Sequence, residues 1–382
     1  MFDLESRLVQ QRETDLYRSR RIAESGSDVH MRIDCKDCLC FFSNDYLGLA
    51  SHPDVKAAFI IAANEHCVCG GAAHLVTGHH RAHHAREEEL ADFTGRERAL
   101  LFSTGYMANL AAVTALTDRH DAVFGDKLNH ASLIDAARLS EARHIRYKHA
   151  DDSALEQRLA ASSVKDKLVI TDGVFSMDGD IAPLPQLSAV CRRHNAWLMV
   201  DDAHGLGVLG RHGAGTLEHF AMCNNEPAVL VGTLGKAFGT FGAFVARREP
   251  RIQTLIQKAR THIYTPALPV AVAEATRASL KIIQADSGRR QHLHELIKYF
   301  CQGAAQLGLP LMPSATAIQP LLVGEAGRAV AMSETLLKQG ILVSAIRPPT
   351  VPDGSSRLRI TLTAAHTRKE VERLLTALEL LV

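Results

Sequence analysis

The sequence predicts an α/β fold in which helices cover a largely parallel β-sheet. In the middle of the chain, helical stretches alternate with short β-rich runs, an order typical of α/β proteins. The runs are almost continuously apolar, as strands of a parallel sheet are when both of its faces are covered. After about residue 270 such runs become fewer. We therefore expect a smaller α+β domain at the C-terminal end.

The elements are predicted in order along the chain. Residues 1–30, rich in Arg and Glu, predict an amphipathic helix, and residues 33–39 predict a hairpin with its turn at Lys36-Asp37. The His-rich segment 79–88 predicts a charged, exposed helix start. Strands of the sheet are predicted at 100–103, 122–126, 168–173, 197–202, 229–233 and 242–246. A helix over 269–283 follows.

Three parts are expected from this order. They are an N-terminal helix and hairpin segment (1–45), a large domain (46–270) and a small C-terminal domain (271–382). A length of 382 residues suits this division, because domains average about 150 residues.

Composition excludes several classes of protein. With 46% hydrophobic and 22% charged residues, the chain does not resemble a disordered protein. The net charge of +1 gives no electrostatic reason to bind nucleic acid or an anionic membrane. Apolar runs such as 57–63 are too short to span a bilayer, and the mixed N-terminus is not a signal peptide. We expect a cytoplasmic protein.

Two clusters have spacings compatible with metal binding. Cys35, Cys38 and Cys40 are one, and zinc is conceivable there, but a plain hairpin is the favoured interpretation. His80 and His84 are four residues apart and would share a helix face, yet no third ligand is implied and no HExxH motif exists. We therefore expect no metal site.

Lys236 carries the central chemical signal. It follows a predicted strand in a Gly-flanked turn, Gly232-Thr-Leu-Gly-Lys-Ala-Phe-Gly239. A lysine in a restricted pocket can bond covalently to a carbonyl, and small neighbours let a flat cofactor approach the backbone. Alone the signal is weak, because a Gly-Lys turn is usually only a turn, and the spacing is not that of a P-loop.

Asp201 and His204 form the second signal. An acidic residue that ends an apolar strand can pair with the protonated ring nitrogen of pyridoxal phosphate (PLP), and His204 can reach the ring oxygen. The alternative is a helix N-cap, which we would favour for the Asp alone. The downstream Gly-Lys turn reverses that preference.

Three further segments follow predicted strands. Residues 103–109 open a helix whose free N–H groups suit a phosphate, although many α/β turns look alike. His130 either stacks on an aromatic cofactor or is a buried structural histidine. The segment 172–180 is unusually dense in Gly, Ser and Asp.

Together these segments resemble the α-oxoamine synthase family of fold-type-I PLP-dependent transferases. The resemblance runs from about residue 15 to 380, and Arg357-Leu-Arg359 belongs to it. Its motifs lie, in the family's order, at 43–49, 105–109, 129–132, 171–180, 200–205, 233–239 and 345–352.

The resemblance implies the site residues and their roles. Lys236 would hold the cofactor and move the substrate Cα proton; Asp201, His204 and His130 complete the catalytic set. Cofactor contacts are implied for Gly105, Tyr106, His130, Ser176, Asp201, His204, Thr233 and Lys236. Substrate contacts are implied for Arg18, Asn44, His130, Arg347, Thr350 and Arg359. In these sets Gly105, Tyr106 and Thr233 serve the phosphate.

The activity implied is a decarboxylating condensation of an amino acid with an acyl thioester. Residues 345–352 resemble the biotin-pathway branch, which joins L-alanine to pimeloyl-CoA or a pimeloyl carrier protein. A related enzyme that uses glycine or another thioester, and a non-catalytic PLP-binding subunit, remain alternatives. A homodimer is expected. Residues 67–74 depart from the family's Gly/Ser-rich pattern, which leaves the acyl-chain selectivity open.

Overall fold

The computed structural model describes residues 2–222 and 226–381. The chain divides into two compact units. Unit 1 comprises Met1–Ser51, Ser176–Asp180 and Gly288–Val382, and unit 2 comprises His52–Phe175 and Ile181–Ser287. The three-part division expected from the sequence stays a prediction.

Helices and strands alternate through most of unit 2. In the two units together, the helices are α1 Leu4–Glu13, α2 Pro53–Glu65, α3 Arg81–Phe93, α4 Gly105–Leu116, α5 Ala131–Leu139, α6 Asp152–Ala160, α7 Leu184–Arg193, α8 Thr216–His219, α9 Glu249–Lys258, α10 Arg260–Ile263, α11 Val270–Ala285, α12 Ser287–Gln306, α13 Ala326–Lys338 and α14 Arg368–Glu379. The strands are β1 His30–Ile33, β2 Lys36–Cys40, β3 Arg98–Phe102, β4 Ala122–Asp126, β5 Arg143–Tyr147, β6 Lys167–Asp172, β7 Trp197–Asp201, β8 Val229–Thr233, β9 Ala243–Arg247, β10 Ile318–Gly324, β11 Ile341–Leu342, β12 Ser344–Ile346 and β13 Ser356–Thr361. A short π-helical turn, His74–Gly78, precedes α3.

Unit 2 is built on a seven-stranded sheet in the order β3-β9-β8-β7-β6-β4-β5. Its neighbours are parallel from β8 to β5, whereas β9 is antiparallel to both β8 and β3. Side chains of α4, α5 and α9 pack with these strands into one core cluster. The predicted parallel α/β architecture is confirmed.

Gly232, in β8, shows how closely this core is packed. A Cβ atom there would lie 2.3 Å from Leu206 Cδ1 and 2.5 Å from Phe244 Cε1. Real Cβ atoms do not approach other atoms so closely, so these neighbours require a glycine at this position.

Unit 1 contains two three-stranded sheets among its described residues, β1-β2-β11 and β10-β13-β12. The second sheet is antiparallel, and it brings β13 against both β10 and β12. None of the described helices combines the length and the apolar character needed to cross a bilayer.

Three local predictions differ from the structure, and one strand was not predicted. The N-terminal helix ends at Glu13, well before residue 30, and it buries none of its residues. The hairpin forms, but its turn is Asp34-Cys35, which both adopt positive φ, and Lys36 already pairs with Ile33. Helix α3 is not simply an exposed helix, because His83, Arg86 and Glu87 are buried in it. Strand β5, with its mixed sequence RHIRY, was not predicted because it lacks an apolar run.

Candidate functional site

The carboxyl ends of the parallel strands bring chemical groups to one edge of the unit 2 sheet. Asp172 ends β6, Asp201 ends β7 and Thr233 ends β8. Asp172 and Asp201 are register partners. Functional groups of α/β proteins gather at this edge because the strand-to-helix loops open there.

Lys236 and His204 meet at this edge. The Lys236 Nζ atom lies 2.8 Å from His204 Nε2. His204 is 8% exposed, and Lys236 is partly buried. The pairing holds the lysine side chain toward the segment that follows β7, rather than in open solvent.

Asp201 is 5% exposed and is held by two donors. The backbone N–H of Ala203 donates to its Oδ1 at 3.1 Å, and Asn109 Nδ2 donates to its Oδ2 at 2.6 Å. Asp201 caps none of the described helices, so the N-cap alternative is wrong. Its oxygens retain the capacity to accept a further hydrogen bond, since a carboxylate has about four acceptor sites.

Asn109 links Asp201 to His130. Its Nδ2 also donates to Ser132 Oγ at 2.8 Å, and Ser132 Oγ lies 2.7 Å from His130 Nδ1. Asn109 is 1% exposed and Ser132 is fully buried, so this chain of polar groups is shielded from solvent at its centre. It fixes the positions of two predicted site residues relative to each other.

His130 precedes α5 and accepts from the Ser132 N–H, as an N-cap. Its own backbone N–H donates to Asp172 Oδ2 at 2.8 Å. His130 is exposed, which disagrees with the buried-histidine alternative. Burial, with Asp201 beside it, raises the pKa of Asp172 well above the ordinary value.

The N-terminus of α4 lies next to β8. Thr104 caps the helix by accepting from the Met107 N–H, and a Cβ on Gly105 would meet Thr233 at 3.8 Å. Thr233 Oγ1 donates to Gly242 O at 3.3 Å, and the Tyr106 hydroxyl donates to Asp135. This places Gly105, Tyr106 and Thr233 around one helix terminus, where backbone N–H groups attract anions.

These groups fit PLP by the chemistry of their donors and acceptors. Asp201 offers a held carboxylate for a protonated ring nitrogen, and Lys236 offers an amine for the aldehyde. The first turn of α4 offers N–H groups for the phosphate.

Three of the implied substrate and cofactor residues cluster in unit 1. Arg359 Nε donates to Ser176 O at 2.7 Å, and its Nη2 donates to Asn44 Oδ1 at 3.1 Å. Both partners are neutral. Arg357, two residues earlier in β13, is instead ion-paired with Asp178. Among the described residues no carboxylate forms a salt bridge with Arg359, which is 3% exposed, so its charge remains available to an anionic ligand.

The other three implied substrate residues line a cavity of about 570 Å³ in unit 1. Arg18 Nη2 donates to Thr350 Oγ1 at 3.2 Å. Arg347 Nη2 donates to Tyr17 O at 3.2 Å. Arg21 lines it as well, so the cavity carries three arginines on its wall.

The sequence alone indicated no role for Asn109, Ser132 or Asp172. All three occur in the motifs quoted above, so the signal was present in the sequence. Their roles were missed because each acts through another side chain, and the pairs are 23 to 92 residues apart.

Comparison with known proteins identifies relatives along almost the whole chain. The family model "Aminotransferase class I and II" matches residues 36–378. An 8-amino-7-oxononanoate synthase of Thioalkalivibrio sulfidiphilus is 59% identical over 380 residues, which cover 99% of this chain and 97% of the relative. The enzyme of the same name from Nitrosococcus oceani is 60% identical over 371 residues, covering 97% and 98%.

Solved structures agree with the fold. A serine palmitoyltransferase from S. paucimobilis, bound to an adduct of PLP and myriocin, has a TM-score of 0.94 at 28% identity and covers 99% of this chain and 96% of its own. An 8-amino-7-oxononanoate synthase from Francisella tularensis has a TM-score of 0.78 at 32% identity and covers 90% and 97%. The predicted fold-type-I architecture is confirmed.

Proposed function

Because this chain belongs to the aminotransferase class I and II family, in its 8-amino-7-oxononanoate synthase branch, we propose that it joins L-alanine to a pimeloyl thioester in biotin biosynthesis. The product is 8-amino-7-oxononanoate. The observation that carries this function is the identity of 59% to 60% with synthases of that name over nearly the full chain. The same membership makes the chain a PLP-dependent acyltransferase, as the sequence predicted.

The reaction balances without an oxidant or a reductant. A bond forms between Cα of alanine and the thioester carbonyl carbon, and the carbon–sulfur bond breaks. The thiol leaves with a proton, the alanine carboxylate departs as carbon dioxide, and a proton returns to Cα. The enzyme must therefore remove and return a proton at one carbon atom.

PLP, when bound, supplies an electron sink that stabilises negative charge at the amino-acid Cα. Lys236 holds the cofactor's aldehyde carbon and moves the Cα proton. Asp201 keeps the ring nitrogen protonated, because an ionised carboxylate beside it favours the charged form. His204 would hold the ring oxygen and His130 would hold the ring when the cofactor is bound.

Other cofactor contacts follow from the same site. Gly105, Tyr106 and Thr233 hold the phosphate at the N-terminus of α4, where the helix dipole favours negative charge. The family resemblance also assigns a cofactor contact to Ser176. Asn109 acts through Asp201, by orienting its carboxylate.

Arg359, with Asn44, binds the alanine carboxylate. An arginine suits this role because it is always charged and can bind a carboxylate with two parallel hydrogen bonds. The neutral partners of Arg359 support the assignment, since its charge is not already matched by a carboxylate. The family resemblance assigns Arg347 to the same carboxylate, whereas its guanidinium donates to Tyr17 O on the wall of the cavity that Arg18 and Thr350 also line.

The acyl substrate uses Arg18 and Thr350, whose side chains are joined by the 3.2 Å hydrogen bond on the cavity wall. The cavity of about 570 Å³ has room for an extended acyl chain, and the arginine suits its terminal carboxylate. The thioester carrier is either coenzyme A or a carrier protein. We propose a cytoplasmic homodimer, as expected from the family resemblance.

The function is tested by supplying the PLP-loaded protein with an amino acid and an acyl thioester, and measuring thiol and 8-amino-7-oxononanoate. We expect product from L-alanine with pimeloyl-CoA or pimeloyl carrier protein. A preference for glycine, or for another thioester, would favour the related-enzyme alternative. A protein that binds PLP and forms no product with any pair would favour the non-catalytic subunit.

A further inference from the structure

The histidines around α3 form a cluster that the proposed reaction does not use. His79 precedes α3, and His84 and Glu87 lie on it, three residues apart. One ligand atom from each of these three side chains lies within 4.8 Å of the others. We propose that His79, His84 and Glu87 bind one divalent transition-metal ion, with zinc as the probe.

The distances between the nitrogens suit a shared ion. His79 Nε2 and His84 Nδ1 are 3.5 Å apart. In a tetrahedral site with zinc–nitrogen bonds of about 2.0–2.1 Å, two nitrogens lie about 3.4 Å apart. An ion between them therefore needs little movement of either ring.

Both rings have a partner on the nitrogen that faces away from the ion. His79 Nδ1 lies 2.9 Å from His74 Nδ1, and His84 Nε2 lies 3.5 Å from Glu88 Oε1. When His79 donates from Nδ1, its Nε2 lone pair points toward His84. Metal-binding histidines are typically oriented in this way, by a hydrogen bond from the second ring nitrogen.

Glu87 supplies the third ligand. It is 5% exposed, and within the described residues its carboxylate accepts one hydrogen bond, from the Leu101 N–H to Oε1 at 3.0 Å. A buried carboxylate with one hydrogen-bond donor is costly, and the charges of Arg98 and Arg86 nearby offset only part of that cost. A bound ion would satisfy the second oxygen.

The surroundings favour a cation and leave space for water. His84, Glu87 and Glu88 line a cavity of about 190 Å³ to which Asp92 and Glu97 add negative charge. Arg98 also lines it, but Glu249 is bound to that arginine at 2.9 Å. A water molecule from this cavity can complete four ligands around zinc.

A second grouping, His74 with His79 and His83, is a weaker candidate. His83 Nδ1 accepts from the His80 N–H at 3.0 Å, and His83 Nε2 lies 2.8 Å from Leu268 O. Both nitrogens of His83 are therefore engaged. The pair considered from the sequence, His80 with His84, does not form, because His80 caps α3 through Ala82.

The test is zinc binding by the PLP-loaded protein after dialysis against a chelator. Isothermal titration with zinc alone measures the affinity, and metal analysis after gel filtration measures the content. His84→Ala and Glu87→Gln remove one ligand each, and Gln keeps the acceptor for Leu101. His80→Asn is the matched control, since Asn also caps a helix. Cobalt(II) substitution adds a spectrum that reports a tetrahedral site.

We expect one zinc ion per chain. The affinity for zinc should fall more than about 10-fold in His84→Ala and in Glu87→Gln, because losing a metal ligand weakens binding more than losing a hydrogen-bond partner of a ligand does. His80→Asn should bind as the unmodified protein does. Circular dichroism confirms that each variant is folded. Absence of stoichiometric zinc, or undiminished binding by folded His84→Ala, would overturn the proposal.

Discussion

The amide nitrogen of Asn109 donates to the Asp201 carboxylate at 2.6 Å, and the same nitrogen donates to Ser132 at 2.8 Å. Both hydrogens of the amide are thus used. The amide oxygen, also buried, has no hydrogen-bond partner in the described part of the chain. A buried polar atom without a hydrogen-bond partner costs free energy. The unpaired oxygen therefore indicates that the amide is oriented so that its nitrogen can donate to Asp201.

Replacing Asn109 with Ala is expected to weaken PLP binding and to lower kcat. A hydrogen bond to a charged group contributes about 1.5–3 kcal/mol, which corresponds to a change of roughly 10- to 150-fold. PLP affinity can be followed by the visible absorption of the bound cofactor. Asn64→Ala, at an exposed position of α2, is the control. An unchanged PLP affinity together with an unchanged kcat would show that Asn109 does not position Asp201.

Replacing Arg359 with Lys is expected to raise KM for L-alanine. Lysine keeps the charge but loses the planar pair of donors, and with it a charge-assisted hydrogen bond. A loss of about 1.5–3 kcal/mol predicts a rise of roughly 10- to 150-fold, and KM for the thioester should change less. The measurement is steady-state kinetics with each substrate varied in turn. If KM for alanine stayed constant while that for the thioester rose, Arg359 would belong to the acyl substrate.

His366 is expected to make stability depend on pH below neutrality. Its Nδ1 accepts from the Thr363 N–H, and its Nε2 lies 3.0 Å from Cys40 O, so the native contacts need a neutral ring. Burial lowers the pKa of His366 to about 4. The same histidine in the unfolded chain has a pKa of about 6.5, so the unfolded chain binds the proton at a higher pH than the folded chain does. The contribution of His366 to stability is therefore present above about pH 6.5 and is lost as the pH falls toward 4.

The expected contribution of His366 between pH 7 and pH 4.5 is about 2–3 kcal/mol in the free energy of unfolding. Urea unfolding at the two pH values measures it. His366→Gln retains a donor and an acceptor but does not titrate, so it should show a smaller difference between the two pH values. Equal pH dependence in both proteins would count against a depressed pKa at this histidine.

Gly232→Ala is expected to destabilise unit 2. The added methyl would overlap Leu206 and Phe244, and overpacking of a core costs about 1–3 kcal/mol. Gly26→Ala is the matched control, because a Cβ there meets nothing within 4 Å. Thermal unfolding of both variants checks the prediction, and equal melting temperatures would contradict it.

The sheet of unit 2 was predictable because its central strands are continuous apolar runs. The sequence also indicates where Asp201 and Thr233 lie, since each ends such a run. Strand β5 was missed because its charged residues are partly exposed at the edge of the sheet. The hairpin turn was predicted two residues too late in the chain. Asp34 and Cys35 both adopt positive φ, which neither residue type indicates strongly.

The residues proposed to contact the cofactor or substrate directly were identifiable from the sequence, since they occur in recognisable motifs. Those that act through another side chain were not. Nothing local to Asn109 indicates that its amide reaches Asp201, 92 positions later. The burial of Glu87 likewise depends on α3 packing beside β3, and a charged helical segment alone does not indicate it.

The most direct test of the account is the stoichiometry of carbon dioxide and thiol release by the PLP-loaded protein. L-Alanine labelled at the carboxyl carbon is supplied with pimeloyl-CoA or pimeloyl carrier protein, to the unmodified protein, to Lys236→Ala and to the exposed-site control Lys258→Ala. We expect equal amounts of labelled carbon dioxide and thiol from the unmodified protein and Lys258→Ala, and neither from Lys236→Ala. Thiol release without labelled carbon dioxide, or undiminished turnover by Lys236→Ala, would contradict it.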